Sequence, residues 1–393
     1  MKNNLVNLSK NKKILLCVSG GIAFYKAYEI LRELKKLGFD VFVAMSENCF
    51  DFCTDTAFEA LSGHKVLCKK NESWSEGIDH ISYSKVDLAI IAPATANTIN
   101  KIASGIADNV LLSAILACKA PKIIAPAANE NMLQNPATIA NLDILRKRKF
   151  IICEPKSKIL ACGDFGRGAL ADPENIVFTA IRTLNQNKFW QNKKVIITGG
   201  ATTEKIDSVR AITNLSSGKM ALSLAKAFYF MGAKVVFITS NEVNLPFESI
   251  NFQNSFELLE AINTQKSADL LVMCAAVSDF VVANKFNGKI KKTGSNLLLE
   301  LKENIDILKN IKIKCKKIGF KMEFDEKNAL KNAKKMLNDK NLDAVCLNVL
   351  GKSINFGSDE TQIRFITKNN EVLSDFAPKL QVALKITELA QKI

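Results

Sequence analysis

Cys162 is a candidate for chemistry because it lies in a segment punctuated by glycines. It lies in Ile159-Leu-Ala-Cys-Gly-Asp-Phe-Gly-Arg-Gly168, where three glycines fall within six residues. A thiol on such a loop is better placed to act as an acid or a thiolate than a cysteine in a core, and the composition is typical of a lid over a ligand. His80, in Asp79-His80-Ile81-Ser82, is either a base or a structural histidine.

Two glycine turns are candidates for binding phosphate. Val18-Ser-Gly-Gly-Ile22 and Asn214-Leu-Ser-Ser-Gly218 each lie between an apolar strand and a helix. Backbone N–H groups and the positive end of a helix suit an anion at such turns. The first turn has neither Gly-x-Gly-x-x-Gly nor Gly-x-x-x-x-Gly-Lys-Ser/Thr, and it suits a mononucleotide phosphate better than a pyrophosphate.

Small and polar residues follow the buried strands of both halves. In the first half these segments are Pro93-Ala-Thr-Ala-Asn-Thr98 and Pro126-Ala-Ala-Asn-Glu-Asn-Met132. They would let a flat ring approach the backbone at the sheet edge where ligands bind. In the second half, Ala275-Ala-Val-Ser-Asp-Phe280 places a carboxylate at that edge, and Gly288-Lys-Ile-Lys-Lys292 is a cationic loop suited to a triphosphate.

The elements that must position these residues alternate between strand and helix in two successive series. In the first half, an apolar strand is expected at Val86–Ala92 and a last helix at Pro173–Phe189. In the second half, strands are expected at Val195–Thr198, Val235–Thr239, Leu270–Ala275 and Ala344–Val349. This alternation predicts two α/β domains with parallel sheets, at residues 1–189 and 190–393. Residues 361–374 read as a hairpin, and a closing helix follows Pro378.

Composition limits the class of protein. The 393 residues are 48% hydrophobic and 24% charged, and neither a signal peptide nor a membrane span is expected, which favours the cytoplasm. The ten cysteines form no Cys-x-x-Cys pair, and with only two histidines a zinc site is not expected. The net charge of +15 suggests anionic ligands, but scattered lysines with few aromatic neighbours do not indicate nucleic acid.

The motifs of the first half resemble those of flavin-dependent cysteine decarboxylases. The resemblance implies a homo-oligomeric, flavodoxin-like domain that binds FMN and decarboxylates 4′-phosphopantothenoylcysteine. Flavin oxidation to a thioaldehyde would provide the electron sink, and the reduced flavin would then return the electrons. By the same resemblance, His80 would be the base, Asn129 would hold the substrate carboxylate beside Met132, and Cys162 would donate the proton. The implied FMN residues are Ser19, Gly20, Gly21, Ile22, Ser46, Pro93, Ala94, Thr95, Asn97 and Ser113. Departures from the family pattern are Ala128 and Leu133, where methionine and an aromatic residue are usual.

The second half resembles phosphopantothenate–cysteine ligase. The matching motifs are Ile206-Asp207-x-Val209-Arg210-x-Ile212-x-Asn214-x-Ser216-Ser217-Gly218-Lys219-Met220, Ala275-Ala276-Val277-x-Asp279, Lys289-Ile290-Lys291-Lys292, Gly319-Phe320 and Asn341-Leu342-Asp343. The resemblance implies a Rossmann-like domain in which the carboxylate of 4′-phosphopantothenate attacks CTP. Cysteine would then displace CMP from the acyl-cytidylate, with Mg2+ and lysines stabilising the phosphate charge.

The ligase resemblance also implies a set of binding residues. Asn214 would bind the acyl-cytidylate and Lys289 would stabilise the phosphates, with Asp207 and Arg210 on the phosphopantothenate side. The implied CTP residues are Ser216, Ser217, Gly218, Ala275, Asp279, Lys289, Ile305, Asp306, Ile307, Leu308, Phe320 and Lys340. Ala201 and Met336 depart from the family pattern, which has proline and often lysine. The choice of CTP over ATP rests on the resemblance alone.

Together the two halves predict a bifunctional enzyme of coenzyme A synthesis acting on small molecules. Three other interpretations remain. A flavin prenyltransferase would share the first motifs but has no need of the Cys162 loop or the second domain. A regulatory flavoprotein would be expected to lack one of the candidate catalytic residues. An NAD(P) oxidoreductase is disfavoured because the second half lacks Gly-x-Gly-x-x-Gly.

Overall fold

The protein is described by a computed structural model, which covers residues 11–74, 78–292, 294, 296–349 and 357–393. The chain divides into two compact units, with the boundary between Asn185 and Gln186. In the part of the chain just defined, no helix combines the length and the apolar character needed to cross a membrane.

The first unit contains a five-stranded parallel sheet in the order β2-β1-β3-β4-β5. Its strands are β1 (Lys13–Val18), β2 (Asp40–Met45), β3 (Leu88–Ala94), β4 (Lys122–Pro126) and β5 (Ile151–Ile152). Every residue of β3 is buried, as expected of a parallel strand covered on both faces. Each fully buried aliphatic side chain contributes roughly 1.5–3 kcal/mol. This order, with a reversal between β1 and β3, is that of flavodoxin-like sheets.

Helices cover the first sheet, and a separate hairpin follows it. The helices are α1 (Tyr25–Lys36), α2 (Thr56–Ser62), α3 (Asp79–Tyr83), α4 (Ala96–Ser104), α5 (Val110–Ala117), α6 (Glu130–Gln134), α7 (Pro136–Lys147) and α8 (Pro173–Asn185), with 3-10 turns at Ile22–Phe24, Glu47–Asp51 and Lys69–Asn71. The hairpin pairs β6 (Lys156–Ile159) with β7 (Phe165–Ala169), antiparallel. Cys162 therefore lies in a hairpin turn, and His80 lies on a short helix.

The second unit is built on an eight-stranded sheet in the order β12-β11-β8-β13-β16-β17-β19-β20. Its strands are β8 (Lys194–Gly199), β11 (Lys234–Thr239), β12 (Glu248–Asn251), β13 (Leu270–Met273), β16 (Lys316–Glu323), β17 (Ala344–Val349), β19 (Arg364–Ile366) and β20 (Glu371–Leu373). The first six in this order are parallel, and β19 and β20 are antiparallel. The parallel part has the Rossmann strand order.

Three small pairs and five helices complete the described part of the second unit. The pairs are β9 (Thr203–Lys205) with β10 (Ala211–Thr213), β14 (Phe280–Val282) with β15 (Leu301–Glu303), and β18 (Glu360–Thr361) with β21 (Ala377–Pro378). The helices are α9 (Lys219–Phe230), α10 (Ser255–Asn263), α11 (Ile307–Asn310), α12 (Glu326–Asp339) and α13 (Lys379–Leu389), with a 3-10 turn at Ala390–Lys392. Both units therefore have the α/β architecture that the sequence predicts.

Several element bounds differ from the sequence-based prediction. Strand β3 begins two residues later than expected and includes Pro93 and Ala94. The segment between β8 and Gly218 contains the β9–β10 hairpin, which the sequence analysis did not predict. Strand β16 was not predicted, because its sequence KKIGFKME is rich in lysine although its middle, at Ile318 and Gly319, is buried.

Candidate active sites

Hydrogen bonds join residues at the ends of β1, β2 and β3 at the carboxyl edge of the first sheet. Ser19 Oγ donates to the carbonyl oxygen of Pro93 at 2.7 Å and accepts from the backbone N–H of Thr95 at 3.0 Å. Ser46 Oγ accepts from the backbone N–H of Gly20 at 3.0 Å. The structure thus brings together five residues that the sequence predicted for the cofactor.

The backbone at Gly20 and Gly21 leaves no room for larger side chains. A Cβ on Gly20 would lie 2.5 Å from the backbone carbon and oxygen of Asn48, and one on Gly21 would lie 3.1 Å from Thr95 Cγ2. The Thr95 hydroxyl also caps α4 by accepting from the N–H of Thr98 at 3.4 Å. The missing side chain at Gly20 lets this turn pack against Asn48 beside a helix N-terminus, a setting that suits the phosphate of a mononucleotide such as FMN.

Four other residues predicted for the cofactor lie in neighbouring elements. Ala94 is the last residue of β3, Asn97 is exposed in the first turn of α4, and Ile22 is 61% exposed. Ser113 is half-buried in α5. Within the described residues, no hydrogen bond links the Ser113 side chain to the Ser19 hydroxyl, so Ser113 stays a prediction from resemblance.

Asn129 and Cys162 are adjacent although 33 residues separate them in sequence. Asn129 caps α6, because its Oδ1 accepts from the N–H of Asn131 at 2.9 Å. Its Nδ2 lies 3.5 Å from Cys162 Sγ, and that thiol in turn lies 3.5 Å from Asp164 Oδ2. An amide donor and an exposed thiol therefore face the same space.

The β6–β7 hairpin reaches Asn129 because it packs directly on the preceding loop. The N–H of Ala128 donates to the carbonyl oxygen of Gly168 at 3.1 Å. A Cβ on Gly168 would lie 2.1 Å from the Ala128 oxygen, and one on Gly166 would lie 2.6 Å from Glu130 Oε2. Glycine at these positions permits the close approach. Leu133, a departure from the family pattern, is buried in the core of this unit.

His80 forms a separate pair. Its Nδ1 lies 2.9 Å from Glu72 Oε1, and both side chains are largely buried. The ring of Trp74 meets the imidazole edge-on, at 5.6 Å between centroids. No hydrogen bond within the described part of the chain joins His80 to Asn129 or Cys162. The contacts with Glu72 and Trp74 orient the imidazole. The role of His80 as a base stays a prediction.

In the second unit, Asn214 contacts the loop that follows β13. Its Nδ2 donates to the carbonyl oxygen of Val277 at 2.9 Å. The same loop is held to the end of β8, because Thr198 Oγ1 accepts from the N–H groups of Cys274 and Ala275, each at 3.1 Å. Asn214 and Ala275, both predicted for the ligase site, therefore lie on linked segments at the carboxyl edge of the sheet.

The Ser216-Ser217-Gly218 turn leads into α9. The hydroxyls of Ser216 and Ser217 accept from the N–H groups of Gly218 and Lys219 at 3.4 and 3.5 Å. Gly218 has a φ of +68°, and a Cβ there would lie 2.4 Å from the Nδ2 of Asn241. A left-handed glycine followed by a twelve-residue helix presents N–H groups to an anion.

Asn304 joins two segments of the predicted CTP site, and the sequence analysis did not identify it. Its backbone N–H donates to the carbonyl oxygen of Asp279 at 2.8 Å, and its Nδ2 donates to that of Ser278 at 2.7 Å. Its Oδ1 accepts from Ser255 Oγ at 3.1 Å and from the N–H of Ile305 at 2.8 Å. The only sequence signal was its position directly before Ile305-Asp306.

The remaining residues predicted for CTP are distributed between surface and core. Asp279 is exposed, and Asp306 forms an ion pair of 3.2 Å with Lys340. Ile307 and Leu308 are buried, so a nucleotide could meet only their backbone. Phe320 is half-buried in β16, and Ile305 is 40% exposed.

Two departures from the ligase pattern have local explanations. The N–H of Ala201 donates to Ser240 Oγ at 3.0 Å, a bond that proline could not form. Met336 packs against the core of the second unit, and its Cε would lie 2.8 Å from a Cβ on Gly319. An apolar side chain at 336 therefore fills space beside a close-packed strand.

Asp207 is buried, and its carboxylate is fully engaged within the protein. Although burial raises its pKa, hydrogen bonds from the N–H groups of Ile290, Val209 and Arg210, and from the Arg210 guanidinium, hold the pKa well below its usual range. An acceptor already occupied in this way has no capacity left for a ligand. The structure thus gives Asp207 internal partners, whereas the resemblance implied contact with substrate.

Among the described residues, no group of three or more His, Cys, Asp or Glu side chains could hold a metal ion.

Known proteins match both units. Residues 2–185 match the family described as Flavoprotein, and residues 190–393 match the DNA/pantothenate metabolism flavoprotein C-terminal domain. The coenzyme A biosynthesis bifunctional protein CoaBC of Bacillus subtilis is 38% identical over 395 residues, covering 96% of this chain and 96% of that protein. The CoaBC protein of Escherichia coli is 34% identical, with 92% of each chain covered.

Solved structures are similar to part of the chain. A crystal structure of the C-terminal domain of CoaBC has 26% sequence identity and a TM-score of 0.44, covering 52% of this chain and 97% of that chain. The FMN-dependent cysteine decarboxylase SpaF has 28% identity and a TM-score of 0.39, covering 44% of this chain and 99% of that chain.

Proposed function

Since the chain belongs to the CoaBC family of bifunctional coenzyme A biosynthesis proteins, with a flavoprotein decarboxylase domain and a ligase domain, we propose that it converts 4′-phosphopantothenate into 4′-phosphopantetheine. Residues 190–393 would ligate 4′-phosphopantothenate to cysteine at the expense of CTP. Residues 1–189 would then decarboxylate the 4′-phosphopantothenoylcysteine so formed. The observation that carries the proposal is the contact between Asn129 and Cys162. It pairs an amide with a thiol in the unit that also contains the Ser19-Gly20-Gly21 turn.

FMN is the cofactor that we propose for the first unit. The Ser46 hydroxyl would donate to its phosphate beside the Gly20-Gly21 backbone, and Ser19 would hold that turn in place through its bonds to Pro93 and Thr95. Thr95 and Asn97 would contact the ring system. When bound, the flavin supplies the two-electron oxidation and reduction that make loss of CO2 possible. The protein would position the substrate next to the flavin ring.

Asn129 and Cys162 would act on the substrate from one side. The Asn129 amide would donate to the substrate carboxylate, and the Cys162 thiol would supply the proton to the decarboxylated carbon. Their separation of 3.5 Å supports this division, because carboxylate and product carbon are neighbours in the substrate. The pairing of His80 with Glu72 suits a base, since the carboxylate would stabilise the imidazolium formed on proton transfer.

In the second unit, the turn at Ser216–Gly218 and Lys289 would bind the triphosphate of CTP. Asn214 would hold the acyl-cytidylate where its side chain now contacts the Val277 loop. The ion pair between Asp306 and Lys340 would reorganise so that the lysine meets a phosphate. We propose that Mg2+ enters with the nucleotide, because magnesium commonly binds through substrate phosphates.

We also propose that the chain forms a homo-oligomer in the cytoplasm. Phe165 and Ile159 are 73% and 69% exposed on the β6–β7 hairpin, and apolar side chains of this size favour burial against another subunit. All ten cysteines are free, as is usual in a reducing compartment. Light scattering of the purified chain would test the assembly, and a monomer would contradict it.

The test of the whole proposal is mass spectrometry of the purified chain with 4′-phosphopantothenate, cysteine, Mg2+ and CTP. We expect 4′-phosphopantetheine, CO2, CMP and pyrophosphate, and a reaction with ATP in place of CTP tests the nucleotide. Cys162→Ala should accumulate an oxidised, decarboxylated species because no proton donor remains. Asn214→Ala should lose ligation yet still decarboxylate supplied 4′-phosphopantothenoylcysteine.

Two outcomes would contradict the proposal. If 4′-phosphopantothenoylcysteine forms but is never decarboxylated, the assignment of the first unit is wrong. If CTP and ATP both stay intact, the assignment of the second unit is wrong.

A further inference from the structure

Asp207 bonds simultaneously to its own turn and to a segment 83 residues away. Its Oδ1 accepts from the N–H groups of Val209 at 2.8 Å and Arg210 at 2.7 Å. Its Oδ2 accepts from Arg210 Nε and Nη2 at 3.0 and 2.6 Å, and from the N–H of Ile290 at 3.1 Å. The side chain of Asp207 has no exposed surface. Both oxygens therefore bond to Arg210, and Oδ2 alone also bonds to Ile290.

The distant segment is the loop that carries Lys289. The Ile290 carbonyl oxygen accepts from Arg210 Nη2 at 2.8 Å, and the Gly288 carbonyl oxygen accepts from the N–H of Ser208 at 3.1 Å. The residues on both sides of Lys289 are thus fixed to the 207–210 turn, while the Lys289 side chain itself is exposed.

The charge of this loop explains why an anchor is needed. Lys289, Lys291 and Lys292 repel one another, and Gly288 has a φ of +80° with no neighbour that a Cβ would meet. Charge-assisted hydrogen bonds to a buried carboxylate are stronger than neutral ones and geometrically defined. Such bonds can hold a cationic loop in one position before a phosphate arrives.

We propose that Asp207 is a positioning residue of the ligase, acting through Ile290 and Arg210 to hold Lys289 where the phosphates of the nucleotide bind. This inference rests on the proposed role of Lys289 in the second unit. Asp207 itself touches no substrate, because its acceptor positions are filled by the protein. Its effect on catalysis must therefore pass through Lys289.

The first test is Asp207→Asn, which keeps the side chain's size and one carbonyl oxygen. An NH2 group then replaces one acceptor and faces N–H donors, so either the turn or the bond to Ile290 is lost. With pyrophosphate release from CTP and 4′-phosphopantothenate as the assay, we expect kcat/KM to fall by roughly 10²-fold, as for a displacement of about 1 Å in an active site. Asp325→Asn, which alters a helix cap in the same unit, should leave the rate unchanged.

A double-mutant cycle separates positioning from general destabilisation. If Asp207 acts through Lys289, Asp207→Asn should cost almost nothing further in a Lys289→Ala background. A role confined to folding would instead lower activity equally in both backgrounds, which would overturn the inference. Decarboxylation of supplied 4′-phosphopantothenoylcysteine, assayed in the same preparations, reports whether the chain is folded and active elsewhere.

A second pair of variants leaves Asp207 intact. Ser208→Pro removes the N–H that holds the Gly288 oxygen, at a turn position that proline often takes, whereas Ser208→Ala keeps that N–H. We expect Ser208→Pro to slow pyrophosphate release at least several-fold more than Ser208→Ala. Equal rates for these two variants, together with a wild-type rate for Asp207→Asn, would overturn the inference. If Lys289→Ala reacts as fast as the wild type, the proposed role of Lys289 fails instead.

Discussion

At the scale of single residues, Cys162 differs from the other cysteines in its access to solvent. Of the ten cysteines, all of which lie in the described ranges, only Cys162 is exposed. Burial raises the pKa of Cys153 to about 11 and those of Cys49 and Cys274 to about 12. A raised thiol pKa means that the unreactive, protonated form prevails at neutral pH. Exposure therefore favours reaction at Cys162, whereas burial disfavours reaction at Cys153, Cys49 and Cys274.

This contrast predicts selective alkylation. Treatment of the folded chain with iodoacetamide at pH 7.5 should modify Cys162 first, as measured by peptide mass mapping. Loss of decarboxylation should follow that modification in time, while pyrophosphate release by the second unit continues. Cys162→Ser is the control, and it should show slow labelling throughout. Faster labelling of Cys53 or Cys315, with loss of activity in step, would contradict the assignment.

At the scale of elements, apolar runs were predictable and polar strands were not. The strand Ala344–Val349 was predicted with its observed bounds, because it is apolar and mostly buried. Strand β16 was missed because lysines at both ends of KKIGFKME obscure a buried middle. The β9–β10 hairpin has only three residues in each strand, too few for a periodic pattern.

The site residues could likewise be predicted from the sequence only in part. Cys162 and Asn129 could be identified from resemblance and from their positions beside glycines and at a strand end. The contact between Asp207 and Ile290 could not be identified in this way, because Ile290 is distant in sequence and contributes only a backbone N–H. Asn304 likewise acts through contacts to Ser255 and Ser278 that no local spacing reveals. Tertiary hydrogen bonds of this kind are set by the packed fold and leave little trace in single-sequence patterns.

The docking of the β6–β7 hairpin yields a prediction about Gly168. A methyl group there would lie 2.1 Å from the Ala128 oxygen, so Gly168→Ala must push the hairpin away from the Asn129 loop. Because Cys162 would move with it, decarboxylation of supplied 4′-phosphopantothenoylcysteine should fall by roughly 10²-fold for a displacement of about 1 Å. Pyrophosphate release by the second unit should not change.

Arg167→Ala is the matched control on the same hairpin. Its side chain is half-exposed and pairs with Glu154 at 3.0 Å, and an ion pair of this kind contributes about 0.2–1 kcal/mol. We expect nearly wild-type decarboxylation from this variant. Equal activity of Gly168→Ala and Arg167→Ala would show that the close contact at Gly168 does not set the position of Cys162.

At the scale of the whole molecule, each unit has its own sheet and its own buried core. The residues assigned to decarboxylation lie before Asn185, and those assigned to ligation lie after Gln186. The proposed substrates 4′-phosphopantothenate and CTP and the proposed intermediate are anions, and the chain carries a net charge of +15. Long-range attraction of this sign raises the rate of encounter for such ligands and is weakened by salt.

Because each proposed site is built from one unit, two full-length variants with complementary defects should restore the pathway when mixed. Asn129→Asp keeps the helix cap but repels the substrate carboxylate, so it should make 4′-phosphopantothenoylcysteine and stop there. Asn214→Ala should decarboxylate but not ligate. Neither variant alone should yield 4′-phosphopantetheine, whereas the mixture should, after a lag during which the intermediate accumulates in solution. The lag should lengthen as both proteins are diluted. If the mixture stays inactive although each variant retains its remaining half-reaction, the intermediate does not pass through solution, and the two sites must act on it within one assembly.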